Sequence, residues 1–204
     1  MFNQLKEECL KCIKCDLSKT RKNVVFGSGP ENAEILFIGE APGANEDIEG
    51  KPFVGKAGQD LNKYLTIANI ERDKVFIANI LKCRPPENRN PNIDEIKVCT
   101  PWLIEQIKVI NPKIICTLGN FATKFILSSC NTDKINQIAG ITKLHGKLQN
   151  MTFNGKSYKV FPLFHPAALI YNQYLKPQME QDMKMLKELL NGKESSQPSL
   201  NKFF

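Results

Sequence analysis

The sequence contains no hydrophobic run long enough to cross a membrane. Its longest apolar stretches, Ile35–Ile38 and Phe161–Phe164, are far shorter than the roughly 20 apolar residues that a transmembrane helix requires. Residues Met1–Glu8 lack the apolar core and small-residue cleavage site of a secretory signal, so we expect a cytoplasmic protein without a membrane partner. No internal repeat is present, and the composition is not that of a collagen, a disordered chain or a disulfide-dense mini-protein.

The chain has enough apolar residues for the core of one domain, and it carries an excess of positive charge. Of its 204 residues, 42% are hydrophobic, which suits a single domain with its own core. The formal net charge is +7, and a basic surface attracts polyanions because the phosphates that it neutralises release their counterions. Many basic proteins never bind nucleic acid, so the charge permits such binding without establishing it.

Apolar runs of strand length alternate with helical patterns along the chain, which predicts an α/β fold with a parallel sheet covered on both faces. Strands are predicted at Ala33–Gly39, Lys74–Ile80, Lys113–Leu118 and Lys159–Phe164. Helices are predicted at Ala57–Ala68, Ile93–Ile110 and Phe121–Leu127, the second with a start signal at Asn92. Loops at the carboxyl ends of such strands usually build the active site. The polar loops at these ends are Gly39–Asp47, Lys82–Pro91 and His165–Leu169.

Five of the seven cysteines have a spacing that suits metal binding. Cys9, Cys12 and Cys15 form a tandem CxxCxxC, and Cys83 and Cys99 follow as single residues. Two residues between cysteines let both sulfurs face one metal centre, and zinc and a 4Fe–4S cluster both accept four thiolates. The tandem leaves open whether Cys9 and Cys12 or Cys12 and Cys15 form the pair. The two remaining cysteines lie in or beside apolar stretches, and we expect them to be small buried hydrophobes.

Four motifs, in this order along the chain, resemble those of the iron–sulfur-containing family 4 uracil-DNA glycosylases. They are GEAPGxxED at Gly39–Asp47, PFVGKAGQ at Pro52–Gln59, KCRPPENRNP at Lys82–Pro91 and HPAAL at His165–Leu169. The segment Cys12–Gly27 is similar to the opening of the same family, and the resemblance covers about Cys12 to Leu190.

The resemblance implies a fold and a cofactor. The fold is a three-layer α/β/α sandwich around a four-stranded parallel sheet, which would occupy residues 1–191. The cofactor is a structural 4Fe–4S cluster held by Cys12, Cys15, Cys83 and Cys99. This ligand set leaves three cysteines without a role in the cluster: Cys9, Cys116 and Cys130.

The resemblance also implies a pocket for a uracil that is flipped out of the DNA stack. Asn79 matches the family's uracil-reading Asn, whose amide pairs with N3–H and O4 together, whereas cytosine would leave buried polar groups unsatisfied. Phe53 resembles the aromatic residue on which the base stacks. Backbone groups of Glu40, Ala41 and Pro42 would line the opposite edge of the pocket.

Only two histidines are present, and one of them suits catalysis. His165 follows an apolar strand and would donate a hydrogen bond to uracil O2, where negative charge develops as the base leaves. His145 lies in a loop-like segment, and we expect it to be structural.

The sequence leaves three candidates for the residue that positions the attacking water. Family 1 glycosylases carry an Asp in a GQDPYH loop for this purpose, and Ala41 occupies the similar place here. The candidates are Glu40, Glu46 and Asn88, and Glu46 also matches a position that would crowd the C5 methyl group of thymine. A covalent relative of the family traps uracil with a His in the loop that corresponds to Cys83–Pro91. No His is present in this loop, which favours turnover.

Residues 192–204 have the composition of a disordered tail, yet they end in apolar side chains. The segment resembles the peptide that binds PCNA-type sliding clamps, through Gln197, Leu200, Phe203 and Phe204. One helical turn would bring the three apolar side chains to one side as anchors. A clamp of this type implies an archaeal source, and we expect a monomer that binds uracil-containing DNA.

Two other functions are compatible with the same residues. A non-catalytic sensor would bind uracil in DNA and pass it on through the clamp. A zinc-ribbon protein that binds nucleotides would use the cysteines without any base chemistry.

Overall fold

The predicted apolar runs form the strands of one sheet in the computed structural model, which describes residues 1–192. The strands are β1 (Ile35–Gly39), β2 (Phe76–Asn79), β3 (Ile114–Leu118), β4 (Gln149–Phe153) and β5 (Lys156–Leu163). Their order in the sheet is β2-β1-β3-β5-β4. The pairs β1–β2, β1–β3 and β3–β5 are parallel, which confirms the α/β class and the four predicted parallel strands.

The strand count of four is wrong, because an antiparallel fifth strand, β4, pairs with β5 at the edge of the sheet. Only Met151 of β4 is buried, so this strand carries little of the apolar signal that identified the others. Asn154 and Gly155 join the two strands with φ values of 49° and 74°. An Asn-Gly pair is a strong hairpin signal, and it is the feature of the sequence that could have revealed the extra strand.

Helices cover both faces of the sheet. They are α1 (Phe2–Leu10), α2 (Leu17–Thr20), α3 (Ala44–Glu49), α4 (Lys56–Ile67), α5 (Ile93–Ile110), α6 (Asn120–Leu127), α7 (Ile141–Leu144), α8 (Pro166–Tyr171) and α9 (Lys176–Leu190). Short 3₁₀ turns lie at Arg72–Lys74, Pro86–Asn88, Thr132–Gln137 and Gln173–Leu175. Within residues 1–192, none of these helices is long and apolar enough to span a bilayer.

The alternation of side chains along β1 divides the core into two halves. Leu36 and Ile38 point into a cluster that includes residues of α1, α5 and α6. Phe37 points the other way, into a cluster that includes residues of α4, α8 and α9. Because each face of the sheet buries its own layer of helices, the architecture is the predicted α/β/α sandwich.

Helix α5 has the bounds that the sequence predicts, and local chemistry explains its start. Asn92 is the N-cap, and Glu95 completes a capping box by accepting a hydrogen bond from the Asn92 amide at 2.9 Å. Arg89 in turn binds the Glu95 carboxylate through both terminal nitrogens, at 2.6 and 2.9 Å. The loop that follows β2 is thereby tied to the start of α5.

Parallel pairing brings the predicted loops to one edge of the sheet. Gly39, the last residue of β1, lies in register with Asn79, the last residue of β2. The end of β5 is two strands away, on the other side of β3, and it leads through Phe164 into His165. Residues 193–204, which include the predicted tail and clamp-binding peptide, lie outside the described part of the chain.

Candidate active site and cysteine cluster

A cavity of about 330 Å³ opens at the carboxyl ends of β1, β2 and β5. This edge is where ligands of open α/β sheets usually bind. The structure brings together every residue that the sequence assigns to base recognition or catalysis. The cavity is lined by Glu40, Ala41, Pro42, Gly43, Glu46, Phe53, Ala57, Asn79, Pro85, Asn88, Arg89, His165 and Ala167.

Asn79 presents an unused hydrogen-bond acceptor to this cavity. Its side chain is 1% exposed, and its Oδ1 is the one buried side-chain polar atom without a partner among residues 1–192. Leaving such an atom unpaired costs about 1–3 kcal/mol, so folded proteins rarely tolerate it away from a ligand site. The position of Asn79 therefore suits a ligand that supplies an N–H group.

The ring of Phe53 forms a wall of the cavity beside His165, with the two ring centroids 5.6 Å apart. A glycine at position 39 is necessary for this arrangement. A Cβ atom on Gly39 would lie 2.4 Å from Asn79 Oδ1 and 2.7 Å from Phe53 Cζ. Because Gly39 has no side chain, Asn79 and Phe53 both have room to face the cavity.

His165 is held as a neutral hydrogen-bond donor. It is the N-cap of α8, and its Nδ1 accepts a hydrogen bond from the Ala167 amide at 3.2 Å. Burial lowers the pKa of His165 to about 4, although the charge of Glu46 acts in the opposite direction. With Nδ1 used as an acceptor, the proton of the neutral ring resides on Nε2, which is free to donate into the cavity.

The three candidates for positioning water differ in how their side chains are used. Glu46 Oε1 accepts hydrogen bonds from the amides of Val54 and Gly55 at 2.9 and 2.8 Å, and Oε2 accepts one from Gly43 at 3.1 Å. The Oδ1 atom of Asn88 accepts a hydrogen bond from Arg84 Nε at 2.8 Å.

Glu40 differs from both, since no hydrogen bond within residues 1–192 involves its carboxylate. Burial raises the pKa of Glu40 above its usual value. A half-buried carboxylate without a protein partner suits a group that binds and deprotonates water.

His145 lies outside the cavity, as the sequence predicts for a structural histidine. Its Nδ1 is 2.8 Å from Asp182 Oδ2, and its ring centroid is 4.3 Å from that of Phe164. These contacts join the segment after α7 to α9 and the end of β5.

The four cysteines that the resemblance assigns to the cluster come from three parts of the chain. Cys12 and Cys15 are half-buried between α1 and α2, Cys83 follows β2, and Cys99 lies inside α5. Cys9, at the end of α1, is fully buried in the core.

Three of these sulfurs accept N–H hydrogen bonds, as protein-bound thiolates commonly do. The donors are the Trp102 indole to Cys12 at 3.4 Å, the Arg21 guanidinium to Cys83 at 3.2 Å and the Lys82 amide to Cys99 at 3.2 Å. Burial raises the pKa of the Cys99 thiol to about 12.

Within residues 1–192, no three His, Cys, Asp or Glu side chains converge as they would around a single metal ion. The donor set, with four thiols and N–H groups directed at sulfur, is one that thiolate-bound metal centres use.

Two basic side chains that support the site, one buried and one half-buried, were not identified from the sequence. Lys82 is 1% exposed, and its Nζ donates to the Asn79 carbonyl at 2.8 Å and to Gln106 Oε1 at 2.6 Å. Arg72 donates to the carbonyls of Pro52 and Phe53 at 2.8 and 3.0 Å. Neither has a local sequence signal, because their partners belong to other elements or to backbone groups.

Comparisons with known proteins place this arrangement in a family. The model of the uracil DNA glycosylase superfamily matches residues 26–189. A type-4 uracil-DNA glycosylase of Sulfurisphaera tokodaii is 48% identical over 189 residues, which cover 92% of this chain and 84% of that protein. Another from Saccharolobus solfataricus is 47% identical over 188 residues, covering 92% and 85%. One from Archaeoglobus fulgidus is 41% identical over 199 residues, covering 98% and 96%.

Proposed function

The chain belongs to the uracil-DNA glycosylase superfamily and is a DNA glycosylase, and we propose that it removes uracil from DNA as a type-4 enzyme. The observation that carries this proposal is the unpaired Oδ1 of Asn79 in a cavity that also contains a neutral His165. One side chain suits recognition of the base, and the other suits its departure.

Recognition rests on the amide of Asn79. Its Oδ1 accepts the N3–H of uracil, while its NH₂ group donates to O4. Cytosine presents an unprotonated N3 and an amino group at these positions, so both contacts become mismatched in a buried site. Phe53 stacks on the flipped base, and the Glu40–Pro42 backbone lines the opposite edge.

Cleavage breaks the bond between uracil N1 and the sugar C1′, and the bonding electrons leave with the base. The His165 Nε2–H group donates to O2, where the negative charge of the departing uracil develops. A water molecule held by Glu40 adds its oxygen to C1′ and gives its proton to the carboxylate. Glu46 and Asn88 act by holding the loops around the cavity.

A 4Fe–4S cluster held by Cys12, Cys15, Cys83 and Cys99 completes the proposed enzyme. When bound, the cluster supplies a covalent cross-link between the N-terminal segment, the loop after β2 and helix α5. The glycosidic bond is hydrolysed without any change in oxidation state, so no step of the reaction uses the cluster.

Docking on a PCNA-type clamp is supported by the sequence pattern alone. Gln197, Leu200, Phe203 and Phe204 lie outside the part of the chain that the structure describes. Calorimetric titration of the protein with an archaeal clamp tests the contact. We expect binding that a Phe203→Ala, Phe204→Ala double substitution abolishes, and equal binding by the two proteins would contradict it.

The excision assay uses labelled oligonucleotides that carry one uracil, one cytosine or one thymine at the same position. After incubation, alkali breaks the strand at any abasic site. We expect breaks with uracil alone, and we expect Asn79→Ala and His165→Ala to lose them. Uracil-specific binding without strand breaks would instead support the non-catalytic sensor.

A further inference from the structure

Phe53 occupies a backbone conformation that a bulky residue rarely adopts. Its φ is 53°, in the left-handed region, although its side chain is a phenyl ring that is 6% exposed. Such a conformation is strained and persists only where surrounding contacts enforce it. The contacts that enforce it here determine where the ring stands in the cavity.

Two side chains hold residues 52–55 from opposite sides. Arg72 Nη2 donates to the carbonyls of Pro52 and Phe53, at 2.8 and 3.0 Å. Glu46 Oε1 accepts from the amides of the next two residues, Val54 and Gly55. All four backbone groups around the strained residue are therefore tied to a charged side chain.

Arg72 is itself held in place from outside the cavity. Its Nη1 donates to Asn62 Oδ1 at 2.7 Å, and Asn62 belongs to α4. Helix α4 also approaches Phe53 directly, because a Cβ on Gly58 would lie only 1.8 Å from the Phe53 carbonyl oxygen. Arg72 does not line the cavity, so it acts on a bound base through the backbone that it holds at Pro52 and Phe53.

We propose that Arg72 is a positioning residue for base recognition, which fixes the left-handed turn at Phe53 and so presents the phenyl ring to the flipped base. This inference deepens the proposed function, since it assumes that Phe53 stacks on uracil. Arg72 serves here because a planar guanidinium has several N–H donors in fixed directions, enough for two carbonyls and one amide.

Excision kinetics on uracil-containing DNA test the inference through a double-mutant cycle. We expect Arg72→Ala to raise KM about 10-fold and to change kcat less than about 3-fold, because stacking of the base on the ring contributes to binding. In a Phe53→Ala background, the same substitution should leave KM unchanged, because the ring on which Arg72 acts is gone. Arg72→Lys should reverse only part of the rise in KM, because one ammonium group cannot reproduce the several fixed N–H donors of the guanidinium.

Lys74→Ala is the matched control, because it removes the same charge two residues away in the same 3₁₀ turn. Lys74 is exposed, and none of the hydrogen bonds or ion pairs within residues 1–192 involves its side chain. An equal rise in KM in Lys74→Ala, or an undiminished Arg72→Ala effect in the Phe53→Ala background, would overturn the inference. If Arg72→Ala does not fold, Arg72→Lys replaces it in the double-mutant cycle with Phe53→Ala.

The crystal structure of Arg72→Lys or Arg72→Ala gives a readout that does not depend on activity. We expect Phe53 to leave the left-handed region and its ring to withdraw from His165. An unchanged Phe53 would overturn the inference even if the wild-type protein excises uracil. Failure of the wild type to excise uracil, with a displaced Phe53 in the variant, would instead refute the proposed function and leave the positioning role of Arg72 standing.

Discussion

Glu40 is the residue whose protonation state should limit the rate in acid. Burial raises the pKa of Glu40 above that of an ordinary glutamate, and a carboxylate that accepts a proton from water must be ionised. We therefore expect the kcat of uracil excision to fall as the pH decreases, with a midpoint above the usual pKa of a glutamate. Glu40→Gln should reduce kcat roughly 10²-fold and remove this midpoint. A Glu40→Gln variant that keeps the wild-type pH profile would show that another group positions the water.

His165 should stay neutral at pH values well below the ordinary pKa of a histidine. The folded pKa is about 4, against 6.5 for an unperturbed histidine, because burial disfavours the charged ring. Protonation of Nδ1 would also break the hydrogen bond from the Ala167 amide. Since the unfolded chain binds this proton first, His165 lowers the free energy of unfolding as the pH falls from 6.5 towards 4.

The imidazole resonances test this value directly, because the chain has only two histidines. We expect one resonance that is absent in His165→Gln to titrate near pH 4. His145→Gln provides the assignment of the other. A midpoint near 6.5 for His165 would mean that the ring is not held neutral, contrary to the proposed mechanism.

Gly39→Ala should damage the cavity without unfolding the protein. Its Cβ would lie 2.4 Å from Asn79 Oδ1 and 2.7 Å from Phe53 Cζ, which is closer than non-bonded atoms approach, so at least one of the two side chains must move. We expect a large loss of excision and a destabilisation of about 1–3 kcal/mol, measured by chemical denaturation. Gly140→Ala is the control, since its nearest contacts would be 3.6 Å or longer. Normal excision by Gly39→Ala would contradict the geometry of the site.

Among the elements, the cysteine segment between α1 and α2 decides which sulfurs would hold the proposed cluster. Cys15 is half-buried in this segment, whereas Cys9 is fully buried at the end of α1. We expect Cys15→Ala to lose the visible absorbance and the iron of the purified protein, and Cys9→Ala to keep both. The reverse result would make Cys9 and Cys12 the ligand pair, and zinc in place of iron would refute the cluster.

Elements with a clear cap and apolar periodicity could be predicted from the sequence, whereas α1, α9 and the weakly patterned β4 were not predicted. The bounds of α5 follow from its apolar periodicity and from Asn92, because cap and pattern agree. β4 is an edge strand with one buried side chain, so its pattern is too faint to separate from a loop. The sheet register that pairs Gly39 with Asn79 depends on contacts between distant segments, which no local pattern encodes.

The same distinction applies to the candidate site. Asn79 could be identified because it ends a predicted strand and matches the family's uracil-reading Asn, and His165 because it opens the HPAAL motif after a strand. Arg72 could not, because its partners are two carbonyl groups and the side chain of Asn62. Lys82 lies inside a motif, yet only the fold shows that its ammonium group is buried against the Asn79 carbonyl.

At the scale of the whole molecule, the sheet brings separate parts of the chain to one edge. The cavity combines the loops after β1, β2 and β5, and α4 with Arg72 supports it from outside. The proposed cluster lies on the N-terminal side of the same loop after β2, so Cys83 belongs to one site and Asn88 to the other. A base-excision enzyme requires such a fixed pocket, because the base is recognised only after it has left the duplex.

We propose, above all, that this pocket hydrolyses the glycosidic bond of uracil in DNA. Mass spectrometry of the small molecules released from a uracil-containing duplex, under single-turnover conditions, tests it most directly. We expect free uracil from the wild type and from His145→Ala, and a release rate at least about 10²-fold lower from His165→Ala. No free uracil from the wild type, or equal rates from the two histidine variants, would contradict the claim.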